Sequence, residues 1–452
     1  LGQLGTMGVL VGEVFEPSAV QAQVQEGITN IPGRNYTADV NSFAIGVAAA
    51  VNPATSTHAL AIGTSTRADA NDTIAIGHDA LANNIQATAI GTSAKAIGSK
   101  ATAFGFTAQA NGEQSAAFGS GANAEGEFSS ALGPASRAGN NATAIGYFAE
   151  ANGNTSTAIG YGAKTNITDA TAVGGNHATA NGKGGSAFGS LANASGNFST
   201  AVGFNANASG INSTAIGRAA SATGNQAIAI GKSASANRDS IAAGSGAIAI
   251  KGSLAVGYLS SGSGIKSAAI GYSSKAEGNY STALGAYSSA NGSNSTAAGI
   301  LSKAVGEHST AVGTNASALN TASSAFGRDS YSNGENSTAI GAEARAIGSK
   351  SVSIGYQAGG STGVDGGVNV GDRSGDSSVA VGAYAYSKGA NAMAIGRGAN
   401  AAQNYSTALG FESQATAENA TALGVRAQAR GNYSTALGSE ANASNDSSMA
   451  LG

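Results

Sequence analysis

The side chains able to do chemistry are few and scattered. Histidine occurs four times, at His58, His78, His177 and His308, with no metal-ligand spacing between any two. A catalytic dyad or a histidine metal site would need a column that brings several together, so each reads as a structural or surface residue. Cysteine is absent, which removes thiolate nucleophiles, disulfides and soft metal ligands. Ser-Thr pairs abound, but no His and Asp accompany them in a triad pattern. Glycine-rich stretches lack the Gly-Lys-Ser/Thr that makes a phosphate loop. One loop-like stretch, from Gly359 to Ser378, carries Asp365, Asp372 and Asp376. Three carboxylates among glycines are the hard-oxygen chemistry that suits Ca²⁺, so these are weak metal candidates. A plain insertion in a surface turn is the competing reading. No cofactor is expected, and no catalysis.

Aromatic rings recur at two places in a pattern. Tyr147, Tyr161, Tyr258, Tyr272 and Tyr356 follow a glycine; Phe128, Phe198, Tyr280, Tyr405 and Tyr433 precede a serine. Exposed rings serve as binding anchors, or they shield neighbouring turns from water. Asn-x-Ser/Thr sequons such as Asn141-Ala142-Thr143 and Asn404-Tyr405-Ser406 are numerous, but the repeat itself generates them.

The elements that position these residues repeat. A tripeptide Ala–(Ile/Leu/Val/Phe)–Gly recurs from Ala44-Ile45-Gly46 to Ala450-Leu451-Gly452, mostly at a spacing of fourteen. Such self-similarity over about thirty copies marks a solenoid. In Asn279-Tyr280-Ser281-Thr282-Ala283-Leu284-Gly285-Ala286-Tyr287-Ser288-Ser289-Ala290-Asn291-Gly292, a period-two half, Ser-Thr-Ala-Leu-Gly, is followed by a second half alternating small and polar residues. Two short strands and two turns per fourteen residues predict an all-β, parallel β-roll. Asn-Gly pairs such as Asn152-Gly153 and Asn291-Gly292 are expected to supply the positive φ of the turns.

The residue before the Ile/Leu is Ala almost everywhere, and this uniform smallness assigns the Ala column to a narrow roll interior. The varied Ile62, Ile76, Ile90, Phe104, Phe118, Leu132, Ile216, Leu284, Ile340, Leu409 and Leu437 then face outward as an apolar seam between chains. A single slim roll would leave that stripe wet, which implies burial by oligomerisation. The opposite assignment, Ile inside and Ala at the seam, is the alternative. The rhythm breaks twice, around 238–266 and around 359–378. Residues 1–40 do not repeat and are expected to form a cap or separate submodule ahead of a repeat domain at 41–452.

Composition agrees. The 452 residues include 68 Gly and only 10% charged residues, against roughly 25% in ordinary domains. The formal charge of −3 gives no reason to expect nucleic acid or an anionic membrane as partner. No apolar run is long enough to span a membrane as a helix.

The repeat Asn-x-Ser-Thr-Ala-Ile-Gly, clear at Asn212–Gly217, Asn336–Gly341 and Asn432–Gly438, resembles the head repeat of YadA-like trimeric autotransporter adhesins. That resemblance implies a left-handed parallel β-roll, packing as a homotrimer, exposure on a bacterial cell surface, and attachment to a host matrix protein, cell-surface receptor or other surface. Neither a signal peptide nor the stalk and anchor of that family is recognised in the chain, which reads as a head fragment. The rival function is an ice-binding β-solenoid with a Thr ladder. A left-handed β-helix acyltransferase would repeat every eighteen residues instead.

Overall fold

The computed structural model describes residues 41–52, 56–359 and 375–452. The expected cap over 1–40 therefore lies outside the described residues, as do Asp365 and Asp372. The described chain is a parallel β-solenoid of about 28 coils with no helix. It divides into two units, residues 1–177 and 178–452.

A typical coil holds one three-residue strand and one two-residue strand, joined by two tight turns; among the described residues no shorter strand lies between Val352–Ile354 and Val379–Val381. In the first unit the longer strands run from Phe43–Ile45 to Thr171–Val173, and the shorter ones from Ala50–Val51 to Lys164–Thr165. In the second unit the longer strands run from Ser186–Phe188 to Met449–Leu451. Like pairs with like, in parallel and in register: Ala89 opposes Ala103, and Ala269 opposes Ala283, which opposes Ala297. Ile90 opposes Phe104, and Ile270 opposes Leu284. Stacked coils are about 4.8 Å apart, so each side-chain position becomes a column.

The interior belongs to the small residues. Within each unit the Ala columns are buried, and Ala89, Ala103, Ala283 and Ala408 are all 0% exposed. The outward Ile/Leu column lies on the other side of the same strands. Of the two assignments left open by the sequence, the one with Ala inside the roll is the one adopted. Both seven-residue half-coils follow one rule, small–x–small–x, which gives four interior residues per coil. Ala94, Ala96, Ala101 and Ala103 are one such set.

Where serine or threonine enters the interior, its hydroxyl is often satisfied locally. Ser129 donates to the Gly126 carbonyl at 2.6 Å and Ser281 to that of Gly278 at 2.6 Å. Thr165 replaces an interior Ala and bonds Ser156 at 3.0 Å. A buried hydroxyl without such a partner costs on the order of 1–3 kcal/mol, and several coils carry one: the Ser115, Ser199, Ser213, Ser295 and Ser309 hydroxyls are buried with no hydrogen-bond partner.

The turns correct one expectation. Gly153 and Gly292, of the Asn-Gly pairs, do not carry the positive φ. That φ sits two residues later, on Thr155 (55°) and Asn294 (56°). Glycine is needed for a different reason. A Cβ on Gly292 would lie 1.9 Å from the carbonyl oxygen of Gly306 in the next coil, and one on Gly153 would lie 2.0 Å from that of Ile167. The glycine of the Ala-Ile-Gly tripeptide meets both demands: Gly285 has φ 127° and a Cβ there would fall 2.6 Å from the Gly299 oxygen.

The two rhythm breaks have separate explanations. Around 238–266 the stacking continues without a gap, Ile228 pairing with Ile241 and Ile241 with Leu254. Two coils are simply thirteen residues long, each missing one residue of its second turn. The Ala-Ile-Ala-Ile run ends in the short strand Ile248–Ala249, where Ile248 occupies an otherwise mostly polar outward column. Around 359–378 the ladder passes from Val352–Ile354 to Val379–Val381, 27 residues on.

Candidate functional site

The outer surface of each coil offers four kinds of position: the apolar column beside the Ala column, the polar column of the shorter strand, and two turn edges. The apolar column contains all eleven residues assigned to the seam. Ile62, Ile76 and Ile90 are half-buried by their neighbours. Phe104 is 51% exposed, Leu284 50% and Leu437 46%, and Phe118, Leu132, Ile216, Ile340 and Leu409 are exposed as well. Neighbours in the column cover them only in part, as Phe104 and Phe118 do with ring centroids 6.2 Å apart. Burying one such side chain is worth about 1.5–3 kcal/mol, while an interior Ala contributes only about one methyl, roughly 0.8 kcal/mol. The largest apolar groups of the coil thus contribute least to its own core.

Turn edges carry the aromatics. Phe128, Phe198, Tyr280, Tyr405 and Tyr433 all adopt φ between 54° and 59°, a conformation costly for a bulky residue, and all are exposed. The tyrosines that follow a glycine stack from coil to coil. In the first unit Tyr147 lies 5.7 Å from Tyr161, whose ring meets His177 at 5.4 Å. In the second, Tyr258, Tyr272 and Tyr287 are spaced 5.2 Å apart. A hydrogen bond with Tyr287, and then the charge of that phenol, hold Tyr272 above the ordinary tyrosine range. Tyr147–Tyr161 and Tyr258–Tyr272 lie face to face, while Tyr161–His177 and Tyr272–Tyr287 meet edge to face.

The histidines are not brought together. His58 faces Asp72 at 3.4 Å, His78 faces Asp79 at 3.0 Å and His308 faces Glu307 at 3.5 Å, all on the surface. Of the candidate calcium ligands, Asp376 is employed otherwise: its Oδ1 accepts the Ser349 N–H at 2.9 Å. Among the described residues no cluster of three potential metal ligands exists.

Asp376 shares that role with the asparagine of the repeat, whose function the sequence did not reveal. Asn279 Oδ1 accepts the Ile265 N–H at 3.0 Å, Asn197 accepts from Lys183 at 3.0 Å, and Asn404 from Ala390 at 2.9 Å. Each satisfies a turn amide of the preceding coil, and this bond explains why Asn recurs two residues before the Ser, whereas Asn directly before Ser-Thr, as at Asn212 and Asn336, holds the positive φ. The fourteen-residue spacing of Asn to an unpaired turn position was the available signal.

The family model of the YadA head domain repeat, two copies per match, fits the chain in successive stretches: 54–80 through 208–234, 263–288 through 318–344, and 387–413 through 431–452. It passes over 235–262 and 345–386, which contain most of both rhythm breaks. Comparison with curated proteins gives no match.

Proposed function

The chain belongs to the YadA head-repeat family, and from that premise we infer that it is the adhesive head of a trimeric surface protein, binding host matrix, host cell receptors or other surfaces. The observation that carries this reading is the outward apolar column. A roll filled with Ala and Ser leaves Phe104, Leu284 and their neighbours partly uncovered, and a stripe of that kind is stable in water when a partner buries it. Three copies around a common axis would place each column against the next. What remains outside is a repeated polar face and two turn edges.

Such a surface binds by repetition. Weak contacts multiplied along a solenoid give strong attachment without any single dominant site. Family and fold are both of a structural kind, and catalysis has no part in this reading. No observation favours ice binding: the outward Thr column is interrupted by Ala116, Ser130, Ile228, Ile241, Leu254 and Ala268.

Light scattering on the purified chain tests the assembly, with adhesion to matrix-coated surfaces as the second readout. Replacement of Ile216, Ile270 and Leu284 by Ser should convert trimer to monomer with the coil structure retained. A wild-type monomer that adheres to nothing would overturn the proposal.

A further inference from the structure

The net charge of −3 conceals a segregated distribution. Residues 1–177 carry six Lys or Arg against twelve Asp or Glu, a formal −6. Residues 178–306 carry eight against two, a formal +6. Residues 307–452 carry eight against eleven, a formal −3. From Asp169 to Asp239 the sequence contains no acidic residue between the two.

Ion pairing differs in the same way. Outside the basic segment, Arg67, Arg137, Lys164, Arg328 and Arg426 each lie within 4 Å of a carboxylate. Inside it, only Arg238 does, with Asp239 at 3.2 Å.

Six of these cations share one side of the roll, formed by the shorter strand and the turn after it, Lys183 standing apart and the other five close together. Arg238, Lys251 and Lys266 occupy that turn in three successive coils. The Gly252 N–H bonds the Arg238 carbonyl at 3.1 Å and the Lys266 N–H bonds that of Lys251 at 3.0 Å. In the next coil Lys275 enters the outward column of the shorter strand, and Lys303 follows it two coils on, with Ser289 between. All five are exposed. They extend over five coil steps, roughly 24 Å. The acids on this side are Asp239 and Glu277, with Glu307 closing the segment.

We propose that this basic band binds a linear polyanionic polysaccharide, a chain bearing sulfate or carboxylate groups, laid along the stacking direction. Cations at coil spacing meet anions at sugar spacing, and the interleaved Ser261 and Asn294 offer a hydroxyl and an amide to sugar hydroxyls, while Ser289 and Asn291 bond each other and Asn291 also bonds Glu277. Single-stranded nucleic acid is the weaker match, because it is held by aromatic faces on which bases stack. On this side between 238 and 303 only Tyr280 is aromatic, and Tyr258, Tyr272 and Tyr287 belong to the opposite turn, where they pack on one another. The proposal rests on the adhesive reading of the head and names a ligand class for it.

The test uses the full chain with heparin as probe, and uncharged dextran and single-stranded DNA for comparison. Lys251→Asn, Lys266→Asn and Lys275→Ser put into each position a residue type common in these turns and strands, so the fold is retained. Losing a cation beside a polyanion costs roughly five-fold in affinity, so the triple variant should bind heparin about a hundred-fold more weakly. Lys95→Ser, Lys350→Asn and Lys388→Asn, with the same change in net charge, should leave binding within about two-fold.

Equal loss in the two triple variants would overturn the assignment to this band. Tighter binding to DNA than to heparin would overturn the polysaccharide. Failure of the wild-type chain to bind heparin while it still adheres to matrix-coated surfaces would overturn this inference and leave the adhesive role standing. Failure in both assays would remove the two together.

Discussion

Gly292→Ala isolates the reason for the repeat's second glycine. The new Cβ would sit 1.9 Å from the Gly306 oxygen and 2.4 Å from its carbonyl carbon, both backbone atoms. Cβ contacts shorter than 3.0 Å essentially never occur, so the coils must part there by about 1.1 Å. The Asn291 N–H to Ala304 bond, now 2.8 Å, and the His308 N–H to Ser293 bond, now 2.9 Å, would both pass beyond hydrogen-bonding distance. Two such bonds are worth about 1–3 kcal/mol together. Gly175→Ala is the control, since nothing lies within 4 Å of its Cβ position and its φ is not positive. That change should be neutral or stabilise by about 0.4–1 kcal/mol through the unfolded chain. Urea unfolding measures the global cost. Hydrogen exchange over residues 278–308 is the deciding readout, because a repeat array can open locally. If Gly292→Ala is no more destabilising than Gly175→Ala and exchange there is unchanged, close approach is not why glycine occupies the site.

Ala283→Leu, at a fully enclosed position, should destabilise by at least about 1–3 kcal/mol in a thermal melt, whereas Leu284→Ala next to it should leave the melt of a monomeric roll nearly unchanged and weaken self-association in light scattering. Asn279→Ala removes the acceptor for the Ile265 amide; it should cost about 1 kcal/mol and speed exchange of that amide, with Asn279→Asp restoring protection. Tyr280→Asn relieves a bulky residue at φ 57° and should stabilise the roll by about 0.5–1 kcal/mol, while any loss of adhesion in the same variant would mark the ring as a binding anchor. In a phenol absorbance titration Tyr272 should ionise above the other tyrosines, because its neutral form keeps the bond to Tyr287; Tyr287→Phe should abolish the difference.

Much of the architecture was legible because a solenoid writes its contacts into its period. A fourteen-residue step puts Ala269, Ala283 and Ala297 into one column, so the uniform smallness of that position reports the enclosed space directly. The outward position of Ile216 or Leu409 follows by alternation along the strand. Glycine was harder to read. The same residue answers either to a positive φ or to a neighbouring backbone, and only coordinates separate Gly285, which needs both, from Gly292, which needs the second alone. Asparagine was hidden by its own frequency: a residue present in most coils looks like consensus, and its bond reaches across fourteen residues to a backbone amide. The basic band was missed for an arithmetic reason, since summing charge over the whole chain cancels what a solenoid keeps apart.

The in-register ladders also decide how the roll carries force. Within each unit the bonds between coils, such as Thr282 N–H to Ser295 O at 2.9 Å, point along the stacking direction. Tension along that direction loads the coil interfaces in series, so every interface bears the whole pull and the weakest yields first. Force across the strands instead divides over many rungs at once. A roll of this kind resists sideways drag better than axial stretch, and thirteen-residue coils with a shortened turn, as between Ile228 and Leu254, are natural places for axial rupture to begin.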